Sequence, residues 1–73
     1  MIEGEDSIAR NLQASDLARS QMNEAVSAFH VACQSLDWSS AESLQLAASV
    51  HLDQHCDAFR AACRGLELLN HGR

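Results

Sequence analysis

Large apolar residues recur every seven positions along the first half of the chain, at Ile8, Met22, Phe29 and Leu36, with Ser15 filling the missing step. Ala18, Ala25 and Ala32 each follow three residues after a step. Alternating three-four spacing of this kind marks the seam of an α-helix packed against another helix. The second half repeats the theme, with Leu52, Phe59 and Leu66 seven apart and interleaved with Ala48, His55, Ala62 and Leu69. Bulky and small layers on facing seams can interdigitate, and alanine lets two backbones approach closely. Between the halves lies Asp37-Trp38-Ser39-Ser40, and there is no proline anywhere. The pattern predicts an all-α chain forming one domain over residues 1–73: a helix over about 7–36, an elbow at 37–39 and a helix over about 40–70. A connection that short forces the two arms to run antiparallel, as a helical hairpin.

Local signals sharpen these bounds. Asp6 or Ser7 can accept from the free amides that open the first helix, and Ser39 with Glu42 three residues later matches a capping box for the second. Gly65 costs about 1 kcal/mol against alanine inside a helix. It marks either a close crossing or an early loosening of the last turns. Asn70 and Gly72 suit the helix end. A three-helix chain would need a break near Ser15 or Gly65.

At about 100° per residue, Leu44, Ala48, Leu52, His55, Phe59, Ala62, Leu66 and Leu69 share one stripe of the second arm. Leu46, Val50 and Leu68 fall roughly opposite. Chains of this size bury only about 60% of the surface they expose when unfolded, and many need association to persist. The expected core and dimer seam is therefore Met22, Phe29, Leu36, Leu52, Phe59 and Leu66, completed as a four-helix bundle by a second hairpin or a helical heteropartner. Trp38, Leu46 and Val50 form the expected partner surface. Trp38 suits two roles, a plug over the elbow end of the core and an anchor for a partner.

Charge and composition exclude several functions. The net charge is −5, and all five basic residues are arginines dispersed along the chain. No basic patch exists to neutralise phosphates, so nucleic acid is not an expected partner. No apolar run is long enough to span a membrane. The start, Met-Ile-Glu-Gly-Glu-Asp, is acidic where a signal peptide would be basic. Cys56 and Cys63 would lie roughly 10 Å apart along a helix, beyond disulfide reach. Together with Cys33 they read as reduced thiols, which points to a cytoplasmic protein.

Candidate chemistry is sparse. His51 and His55 are spaced i, i+4 and could present two imidazoles to one metal ion. Leu52 stands where a metalloprotease helix carries glutamate, and Cys56 points away from His55. Two ligands do not make a site, so no metal and no cofactor is expected. A hairpin register places His51 level with the neighbourhood of Glu24. There is no glycine-rich phosphate loop and no pair of carboxylates flanking a cleft, while Asp53, Asp57, Arg60 and Arg64 read as a solvated face. A non-enzymatic protein is expected.

The run Leu36-Asp37-Trp38-Ser39-Ser40-Ala41 between two helical arms resembles the Trp-x-Gly hairpin family, as does Ala58-Phe59-Arg60-Ala61-Ala62 in the second arm. The resemblance covers about residues 22–69. Ser40 occupies the position of the motif glycine, and the chain has no tyrosine to serve as the family's export signal. It implies a small dimeric four-helix bundle handled by a type VII secretion system, and hence a secreted protein. The architecture also looks like the small cytosolic chaperones that hold needle subunits of type III secretion.

Overall fold

The computed structural model describes residues 3–71, which form two α-helices and one connection. Helix α1 spans Glu3–Gln34 and helix α2 spans Trp38–His71. They lie side by side as an antiparallel hairpin, all-α as the spacing predicts. Both helices run unbroken through Ser15 and Gly65, so there is no third helix among the described residues. The expected stop at Gly72 lies outside them.

Both boundaries near the elbow differ from the sequence expectation. Leu36 takes a left-handed backbone conformation, with φ at 60°, and this ends α1. The Leu36 amide donates to the Cys33 carbonyl at 3.1 Å, and the Asp37 amide donates to the Ala32 carbonyl at 2.9 Å. This paired closure satisfies carbonyls that a helix end leaves without partners. Leu36 thereby falls outside the helix and, at 69% exposed, outside the seam assigned to it. Asp37 then opens α2: its carbonyl accepts from the Ala41 amide at 3.0 Å, and its Oδ1 accepts from the Ser40 amide at 3.2 Å. The cap is thus Asp37 with Ser40, and not Ser39 with Glu42. Once Leu36 has turned the chain, Asp37 is the first residue free to adopt the extended geometry a cap requires. Hydrogen bonds from Ser40 hold the Asp37 carboxyl below its ordinary value of 3.8. At the other end, Asp6 and Ser7 sit inside α1 and not ahead of it.

Between the helices runs a column of small side chains. Ala18, Ala25 and Ala32 of α1 and Ala41 and Ala62 of α2 are buried, and Ser15, at 2% exposed, is more enclosed than any of them. Small residues at successive turns draw the two backbones together, leaving no room for large rings on the line of contact. Gly65 belongs to the same close packing. A Cβ at that position would come within 2.9 Å of Ile8 Cγ1, so of its two expected roles the close crossing is realised.

Candidate functional site

The bulky residues assigned to the core stand beside the alanine column. Met22 and Phe29 are half-buried, whereas Leu52, Phe59 and Leu66 are 45%, 50% and 53% exposed. Their heptads are those the sequence predicts. What changes is the direction they face, because alanine takes the contact line and the large side chains splay to one flank.

That flank is a single broad face with two apolar grooves. Nearer the elbow, a groove of about 300 Å³ lies between Met22, Val26 and Phe29 of α1 and Ala48, Ser49 and Leu52 of α2, with His30 and Gln45 at its rim. Nearer the open end, a groove of about 220 Å³ lies between Ile8 and Leu12 of α1 and Phe59, Ala62, Cys63 and Leu66 of α2. The residues from each helix fall in the same heptad columns in both grooves, so the two open on the same side. Trp38, 63% exposed, heads the column that continues through Gln45 to Leu52, Phe59 and Leu66. It lies too far out to plug the elbow; Ala41 is buried there instead. Leu46 and Val50 are also exposed, but stand outside these columns.

A polar pair crosses the seam. His55 Nδ1 lies 2.9 Å from the Ser15 carbonyl oxygen and 2.7 Å from Ser15 Oγ. With a proton on Nδ1, the imidazole donates to these oxygens; with Nδ1 bare, the hydroxyl donates to it. Every protonation state of His55 therefore keeps a bond to Ser15. A serine beside a histidine is also the arrangement of an activated nucleophile. Here the hydroxyl is sealed between helices and lines neither groove. Both halves were visible in the sequence: a serine where the first seam lacks a large residue, and a histidine where the second lacks an alanine. Only the hairpin register shows that they meet.

The second candidate ligand, His51, faces its own helix and donates from Nδ1 to Gln54 Oε1 at 3.0 Å. Among the described residues no group of three or more histidine, cysteine or acidic side chains is placed to hold one metal ion. Cys33, Cys56 and Cys63 are free thiols. The charged outer edge behaves as a solvated surface: Arg60 and Asp57 pair at 4.0 Å with both side chains over three-quarters exposed, a contact worth little in water.

No helix among the described residues is long and apolar enough to cross a membrane. No known protein family, curated protein or solved structure matched the chain in comparison.

Proposed function

We propose that this chain is a non-enzymatic protein-interaction module, a helical hairpin that dimerises into a four-helix bundle. One observation carries the reading: the interior of a single hairpin is made of alanine and serine, while its large apolar side chains are left beside that interior and half in water. A buried methyl is worth about 0.8 kcal/mol, against about 1.5–3 kcal/mol for a fully buried leucine or phenylalanine. About half of the burial open to Leu52, Phe59 and Leu66 is therefore still to be gained, and it is gained when something covers the grooved face.

Leu46 and Val50, outside the grooved columns, remain available to a further protein, whereas Trp38 stands at the elbow end of the grooved face itself. The likeness around Trp38 adds a narrower reading, a small protein of the type VII secretion kind, which detection of the chain in culture medium would test. The alternative is a cytosolic adaptor or chaperone for a helical partner, which would lay an apolar helix along the same grooves. Sedimentation of the purified protein separates these readings. A folded dimer at micromolar concentration is expected. A chain that stays unfolded until a helical protein is added selects the adaptor, and a cooperatively melting monomer overturns both.

A further inference from the structure

We propose that the occupant of the grooved face is a second copy of this chain, docked with its elbow at the opposite end, so that Arg19 of each copy pairs with Asp16 of the other. This rests on the dimer reading above and adds to it the face, the orientation and the residues that fix both.

The face is apolar at both ends and charged at its centre. On α1, Leu12 belongs to one groove and Met22 to the other. Arg19 lies one heptad after Leu12 and one before Val26; Asp16 lies two heptads before His30. Both therefore sit on the grooved side, in the gap between grooves. They form an ion pair at 3.4 Å, with side chains 58% and 70% exposed. On α2 the gap falls between Leu52 and Phe59, at the level of His55, which is joined to Ser15 across the seam. The gaps on the two helices are thus level, and they lie midway between the grooves.

A twofold axis crossing both helices through that gap lays α1 antiparallel on the partner's α1, and α2 on the partner's α2. Each groove then faces the other groove of its mate, bringing Phe59 toward the partner's Leu52 and Ser49. Residues equidistant from the axis meet, and the axis passes α1 between Asp16 and Arg19. Arg19 accordingly meets the partner's Asp16, and the reverse contact repeats it, giving four charges of alternating sign.

The other twofold arrangement, with both elbows at one end, stacks α1 on the partner's α2. It would press the Arg19–Asp16 pair of each copy against Leu52 and Cys56, where these columns supply no further charge, and covering an ion pair with apolar surface costs more in lost hydration than the pair alone returns. The size of the face also fits a second copy. The hairpin measures 56 by 16 Å across its broad side, roughly 900 Å², where a stable interface takes about 800 Å² from each partner. A self-complementary patch is what a closed twofold dimer requires.

The test exchanges charges and reads association by sedimentation equilibrium, with helical circular dichroism confirming folding. Asp16→Arg alone and Arg19→Asp alone should each weaken self-association about tenfold or more, because each gathers four like charges at the axis. An equimolar mixture of the two variants should recover dimers, as heterodimers, and a chain carrying both substitutions should self-associate as the wild type does. If the wild type is dimeric but mixing restores nothing, or the single variants dimerise at full strength, the proposed arrangement is wrong while the dimer reading survives. A folded wild-type monomer sinks the reading itself, and a wild type that assembles only with an added helical protein assigns the face to that protein.

Discussion

The alanine column and the grooved face run side by side along the same two helices, yet they do different work. The column is tight and made of small side chains, and sets the distance between the helices. The face is made of Met22, Phe29, Leu52, Phe59 and Leu66 and leaves much of its bulk uncovered. The contrast teaches that a heptad repeat fixes which residues share a stripe, but not which edge of the stripe turns inward. Where small and large columns adjoin, the small one can take the contact line and displace the large one sideways.

The sharpest way to break this comparison is to truncate the face. If the proposed dimer buries this ring, Phe59→Ala should cost about 3–5 kcal/mol of stability, read by urea denaturation at micromolar protein concentration. Val50→Ala, outside the grooved columns, should stay within about 0.5 kcal/mol. Equal losses would erase the distinction between the face and the rest of the surface. Next in size comes overfilling of the column. Ala62→Leu should destabilise the hairpin by about 1–3 kcal/mol by forcing the helices apart, although it adds apolar surface. A stabilised variant would mean the column has slack. Ser15→Ala should cost about 1 kcal/mol, since His55 loses the hydroxyl but keeps the carbonyl.

The smallest effect concerns the elbow. Asp37 is held below its ordinary carboxyl value, so the unfolded chain takes up its proton more readily than the folded one. Its stabilising contribution is complete above the unfolded value of 3.8 and fades as pH falls through the lower folded one. Asp37→Asn retains a capping side chain and should flatten that part of the thermal stability profile below about pH 4. An unchanged acid limb would assign the dependence to other carboxylates.

Much of the fold was legible in the sequence. The absence of proline, the two sets of heptads and the Asp37-Trp38-Ser39-Ser40 break suffice for two antiparallel helices. The elbow was misplaced by about two residues because a leucine took the left-handed position usually given to glycine, and no composition rule flags Leu36 for that. Phe59 and Leu66 were assigned to the interior because a hydropathy stripe is wider than the line on which two helices touch. The pairing of Ser15 with His55 depends on the register of the arms, which is set by geometry at an elbow about 20 residues away along each helix.

The position of that pair governs what can enter the molecule. About 20 residues of helix place it roughly 30 Å from the elbow, so the arms act as levers hinged at one end and latched well along their length. Scissoring by about 10° at the hinge would separate them by roughly 5 Å at the latch, more than the 2.7 Å bond between Ser15 and His55 can follow. A third helix therefore cannot wedge between the arms without first unfastening this pair, and any guest is steered to the outside of a closed clasp.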